Sequence, residues 1–146
     1  MKINLRKITM ENFTECLRLT LSKEQEKFVA SNMYSLAEAK ADGVSIPLAI
    51  YHGDTMVGFT MYWFDEENEM GWIDRLMVDE KYQKQGFGRE TMIEVIRRLK
   101  ENEKCKKIRT SYDQQNDTAG KLYESLGFEK TGEIDDGEVV CILQVK

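Results

Sequence analysis

GWIDRLMVDEKYQKQGFGRETMIEVIRRLKEN, the stretch from Gly71 to Asn102, decides how this chain is read. Trp72, Ile73, Leu76, Met77 and Val78 are dense enough for a strand covered on both faces. Gln83-Lys84-Gln85-Gly86-Phe87-Gly88-Arg89 then brings two glycines to the point where a helix should begin. Met92, Val95, Ile96 and Leu99 recur behind them at helical spacing. A strand feeding a glycine-rich loop at a helix N-terminus makes an anion site. The first-turn N–H groups lack intrahelical partners, the dipole is positive there, and glycines let a phosphate approach the backbone. On the loop alone, a purely geometric use of the glycines stays open. Two familiar phosphate loops do not fit. The dinucleotide fingerprint needs a glycine where Thr91 stands, and a P-loop needs Lys then Ser or Thr where Arg89 and Glu90 stand.

The 146 residues suit one domain, 1–146, with a real core, and 41% hydrophobic with 32% charged content describes a soluble globular protein. A net charge of −5 argues against general nucleic-acid binding and permits a cationic ligand. No apolar run reaches membrane-span length and no signal-peptide core opens the chain, so a cytoplasmic location without membrane partners is expected. Cys16, Cys105 and Cys141 are isolated and odd in number, which reads as reduced thiols with neither disulfide nor zinc site. His52 is the only histidine and stands in the turn His52-Gly53-Asp54, which disfavours metal sites and histidine catalysis alike.

Along the chain, Ile3 to Ile8 alternates as a strand, and a short helical pattern runs through Phe13, Leu17 and Leu19. Ser22 with Gln25 reads as a capping box for a helix ending at Gly43, with a break at Ser31 or Asn32. A hairpin follows (47–51, then Met56 to Phe64), and then the acidic turn Asp65-Glu66-Glu67-Asn68-Glu69. After the glycine-loop helix come the strand Lys107–Tyr112 and a helix whose apolar face is Ala119, Leu122, Tyr123 and Leu126, ended by Gly127. A final hairpin turns at Asp135-Asp136-Gly137. The order β-α-α-β-β-β-α-β-α-β-β describes a mixed α/β sheet.

Two signatures stand in order: Gln83-Lys84-Gln85-Gly86-Phe87-Gly88 after the strand IDRLMVDEKY, and Asn116, Ala119, Leu122-Tyr123-Glu124, Gly127-Phe128 further on. In them, residues 47 to 146 resemble the GNAT superfamily of acyl-CoA-dependent N-acyltransferases. Within it, QEKFVASNMYSLAEA, PLAIY, VGFTMYWF, WIDRLMVDEKYQ and TGEIDDGEVV are similar to bacterial spermine/spermidine (diamine) N-acetyltransferases. The resemblance implies a mostly antiparallel sheet of about seven strands with about four helices, splayed between its fourth and fifth strands to hold CoA. It implies acetyl-CoA as cosubstrate, a small amine as acceptor and a homodimer.

The resemblance also implies residue roles. Met77 and Val78 would offer backbone groups to the thioester and pantetheine arm, the N–H groups from Gln85 through Gly86, Phe87, Gly88 and Arg89 would hold the pyrophosphate, and Gln83 would border that loop. Asn116 would bond the pantetheine, cap its helix, or do both. Tyr123 would protonate the leaving thiolate, a role that fits a phenol pKa of about 10 against about 8.5 for a thiol. A primary amine titrates at about 10.4, so a carboxylate should take its proton. Asp74 is the candidate base and amine ligand: it stands where many members have Glu and is read as sharing a face with Trp72 and Leu76, with Arg75 on the other. Asp65, Glu66 and, on the preceding helix, Glu38 are further candidates for drawing a polycation to the site. Trp63 and Trp72 are read first as core. Competing readings are another acceptor (an aminoglycoside, an amino acid, a peptide N-terminus) and a non-catalytic acyl-CoA-binding module.

Overall fold

The computed structural model describes residues 2–146. Its elements run β1 (Asn4–Lys7), α1 (Phe13–Arg18), α2 (Lys23–Glu26), α3 (Asn32–Asp42), β2 (Ile46–His52), β3 (Thr55–Asp65), β4 (Met70–Val78), a 3₁₀ turn (Glu80–Tyr82), α4 (Phe87–Lys100), β5 (Lys107–Asp113), α5 (Asp117–Ser125), β6 (Glu129–Asp135) and β7 (Glu138–Gln144). They build a seven-stranded sheet in the order β1-β2-β3-β4-β5-β7-β6. Every neighbouring pair is antiparallel except β4 and β5.

The helix expected from Ser22 to Gly43 is broken, so five helices flank the sheet rather than about four. Ser22 caps α2 by accepting from Gln25 N, and Ser31 caps α3 by accepting from Tyr34 N. Each serine offers its own N-cap, which favours two starts over one continuous helix. The capping box is only half made, because the Gln25 side chain leaves its helix and bonds Gln83.

Each face of the sheet buries its own core. Ile73, Met92, Val95, Leu99, Ile108, Tyr123 and Phe128 pack between the sheet, α4 and α5. Cys16, Tyr51, Phe59, Met61 and Met77 pack on the face covered by α1 and α3. Burial of a side chain such as Phe59 or Met92 contributes roughly 1.5–3 kcal/mol. The three cysteines are free and buried.

The functional geometry begins where the parallel pair ends. Pairing of β4 with β5 runs from Met70↔Lys107 to Ile73↔Thr110 and stops. Beyond it β4 stays with β3 as far as Val78, while β5 stays with β7 as far as Asp113. The sheet is therefore forked between its fourth and fifth strands, as expected. Among the described residues, no helix is long and apolar enough to cross a membrane and no three His, Cys, Asp or Glu side chains gather as a metal site.

Candidate active site

The fork leaves the β5-facing edge of β4, from Asp74 to Val78, without a strand partner. Backbone groups on such an edge need hydrogen bonds from elsewhere, and an extended ligand lying along it can supply them. Met77 and Val78 lie at the open end of that edge. Val78 leads through the 3₁₀ turn into the glycine loop, where Lys84 (φ 63) and Gly86 (φ 90) are both left-handed. Gly86 caps α4 with no side chain, and the first helical bond is Glu90 N to Gly86 O at 3.0 Å. The N–H groups of Phe87, Gly88 and Arg89 precede that bond and point out of a positive helix end. A strand edge running into this helix end suits an extended ligand with an anionic tail. Gln83, at the mouth of the loop, commits its amide to Gln25 and to the Val78 carbonyl. The Arg89 side chain donates Nη1 to Ser125 Oγ at 2.8 Å, linking α4 to α5.

Across the fork stands α5. Asn116 caps it, accepting from Ala119 N at 3.3 Å, and its Nδ2 has no partner among the described residues. Tyr123 is buried, its ring 5.9 Å from both the Tyr112 and Phe128 rings. Burial pushes its phenol up to about 12, and the neighbouring Thr110 hydroxyl opposes the shift. Thr110 holds the last rung before the fork and donates its hydroxyl to the Ile73 carbonyl at 3.0 Å. Nothing in the sequence signalled that position: Thr110 is one of several polar residues in the strand Lys-Ile-Arg-Thr-Ser-Tyr-Asp.

The expected orientation of Asp74 is corrected by the pairing. Met61 faces Arg75 and Tyr62 faces Ile73, so Asp74 is the extra residue of a β-bulge. The bulge resets the alternation. Leu76 packs with the α4-side core, while Arg75 turns to α3, bonding Ser35 Oγ at 3.1 Å and Glu38 Oε1 at 3.0 Å. Asp74 thus shares its side of the sheet with Arg75 and not with Leu76. Burial raises its pKa; Arg75 and the Trp63 indole N–H work against the rise, and Glu38 adds to it. Its carboxylate forms no ion pair among the described residues.

Trp63 and Trp72 stack at 5.5 Å, only half-buried, so they line this face rather than fill the core. Arg109, at 9% exposure, lies 4.1 Å above the Trp72 ring and pairs with Asp135 at 2.9 Å. Arg109 escaped the sequence reading, and Arg75 entered it only as the residue opposite Asp74, since what each meets lies on distant segments. Glu38 is engaged by Arg75, and the other two acidic candidates lie at the closed end of the fork. Asp65 accepts from Glu67 N and Asn68 N within its own turn, and Glu66 pairs with Lys104 at 3.8 Å. From Met70 to Asp74 the strand rise is roughly 13 Å, which sets that turn apart from the open edge.

An open strand edge running into an unpaired helix N-terminus, in a sheet split between β4 and β5, is the architecture of a split-sheet acyl-carrier site. The sequence model described as "Acetyltransferase (GNAT) family" matches residues 4–128. The spermine/spermidine N(1)-acetyltransferase of Bacillus subtilis (strain 168) is 35% identical, with 99% of this chain and 100% of that protein covered. This chain belongs to the GNAT acetyltransferase family. Among solved structures, the PaiA N-acetyltransferase of Thermoplasma acidophilum in complex with coenzyme A shares the fold with a TM-score of 0.72, at 17% identity over 99% of this chain and all of that one. An aminoglycoside acetyltransferase in complex with coenzyme A does so with a TM-score of 0.81, at 14% identity over 98% of this chain and 95% of that one.

Proposed function

We propose that this chain uses acetyl-CoA to acetylate a primary amine of a small polycation of the spermine/spermidine type, by direct attack in a ternary complex. The observation that carries the reading is the half-buried Asp74 carboxylate, free of any ion pair among the described residues and flanked by the Trp63–Trp72 stack at the fork. An alkylammonium suits such a wall: its charge meets the carboxylate and its methylenes meet the indoles. The names of the Bacillus relatives support the acceptor class.

In the reaction, acetyl-CoA lies along the open edge, with its thioester carbonyl on backbone groups near Met77 and Val78. Its diphosphate sits on the N–H groups from Gln85 to Arg89, and Asn116 Nδ2 donates to the pantetheine. Asp74 takes the ammonium proton, directly or through water, and the freed amine attacks the thioester carbon. A C–N bond forms, the C–S bond breaks, and Tyr123 gives its proton to the leaving thiolate. With its pKa pushed up to about 12, Tyr123 stays protonated at neutral pH and available as the acid.

Release of free CoA thiol across an amine panel tests the acceptor, with turnover of spermine and spermidine expected. Thiol release with other amines but neither of these would sink the acceptor assignment. A second reading has a specific basis, because Arg75 and Arg109 also line this face. Guanidiniums there favour an acceptor that carries a carboxylate beside its amine, such as an amino acid or peptide N-terminus. The same panel separates the two.

A further inference from the structure

Gln25 turns its side chain away from its own short helix. Its Nε2 donates to Gln83 Oε1 at 3.0 Å and its Oε1 accepts from Gln83 Nε2 at 2.9 Å, a closed amide pair between residues 58 apart in sequence. Gln83 Nε2 also donates to the Val78 carbonyl at 2.9 Å. With both Nε2 hydrogens spent, the Gln83 amide has no donor left for a ligand. It acts as a brace from the last residue of β4 to the first residue of the loop. A half-turn of that amide would set its oxygen against the Val78 carbonyl and the Gln25 oxygen. The terminal torsion of glutamine is intrinsically broad, so one partner alone would hold it loosely, and Gln25 supplies the second.

Two further observations give the brace a purpose. The loop it opens contains Lys84 at φ 63, a left-handed backbone that is uncommon for a lysine and costs free energy to hold. The segment carrying Gln25 is also fastened below β4: Asp79, buried at 2% exposure, accepts from Thr20 N at 2.9 Å, and Glu80 N donates to the Thr20 carbonyl at 2.9 Å. Thr20 to Gln25 is thus sewn to Val78 through Gln83 along its length.

We infer that Gln25 is a positioning residue for the cofactor loop: by fixing the Gln83 amide it holds the backbone from Lys84 to Gly88 in the shape that receives a diphosphate. This rests on the acetyl-CoA reading above. The test is calorimetric binding of acetyl-CoA, with steady-state kinetics, for wild type, Gln25→Ala, Gln83→Ala and the double variant. Gln25→Ala should weaken acetyl-CoA binding about fivefold, the loss of an ordinary hydrogen bond, with kcat and the amine KM unchanged. The double variant should bind no more weakly than Gln83→Ala alone. Gln25→Glu, which still accepts from Nε2 but cannot donate to Oε1, should recover part of the loss. Wild-type affinity in Gln25→Ala beside a lowered melting temperature would reduce Gln25 to a structural contact. Losses that add in the double variant would overturn the inference too. Wild-type protein that binds no acetyl-CoA would bring down the cofactor reading itself, and this inference with it.

Discussion

At Tyr123 and Asp74, one physical cause serves two opposite needs. Burial raises the pKa of each, which keeps the phenol protonated at neutral pH and makes the carboxylate a stronger proton acceptor than an exposed one. Tyr123→Phe should lower kcat by about 10²–10⁴-fold while leaving the acetyl-CoA dissociation constant near wild type. Near-wild-type turnover, with chemistry shown to be rate-limiting, would remove Tyr123 from the acid role. Asp74 makes a paired prediction. Its folded pKa lies above the ordinary 3.8, so the native state binds the proton more tightly than the unfolded chain does. Stability is then lost as pH rises from the ordinary value through the raised one, and the ionised buried carboxylate is a standing cost at neutral pH. Asp74→Asn should therefore resist urea better at pH 7 and lose that pH dependence, while kcat/KM for the amine falls and its acidic limb disappears. A variant less stable at neutral pH would contradict this account of the carboxylate.

The element that matters most is β4, and its bulge sets the limit on what its residues could tell. Strand density, the glycine loop and the α4 face were legible because each is a local pattern. The facing of Asp74 was not, since a bulge is a property of two strands and Met61 lies 14 positions before Arg75. Arg75 and Glu38 meet for the same reason only after α3 has folded over the sheet. For Trp63 and Trp72 the sequence left both uses open, core packing or holding an amine chain, because an apolar run looks alike whether it faces a core or a cleft. The close fit of β3 on β4 gives a test. A Cβ on Gly58 would lie 2.3 Å from the Met77 carbonyl oxygen, a backbone atom that cannot yield cheaply. Gly58→Ala should cost about 1–3 kcal/mol or more in chemical denaturation and displace the β4 edge at Met77. A cost under about 0.5 kcal/mol would show that the strands separate there without strain.

For the molecule as a whole, a ligand that binds only the folded fork should add to stability in proportion to its saturation. Acetyl-CoA at about 100 times its dissociation constant should add about 2.7 kcal/mol, read as a rise of roughly 5–10 °C in melting temperature for a chain of this size. Spermidine alone, meeting the acceptor face without the carrier, should move the midpoint less. An equal shift with each would argue that the fork is not where the nucleotide binds. The element order was readable from the chain, but the fork came only with the family resemblance. No local signal marks the rung at which two paired strands part company.

That rung carries a mechanical meaning as well as a chemical one. Four paired positions, from Met70↔Lys107 to Ile73↔Thr110, join β4 and the strands beyond it to the block of β5, β7 and β6. Asp74 rides on one arm just past this short hinge, and Tyr123, packed on Tyr112, rides on the other. The span between Asp74 and Tyr123 is accordingly not fixed within a single strand pair. On the proposed reading, a carrier lying between the two arms would touch both, so its thickness would bear on the distance from Asp74 to Tyr123.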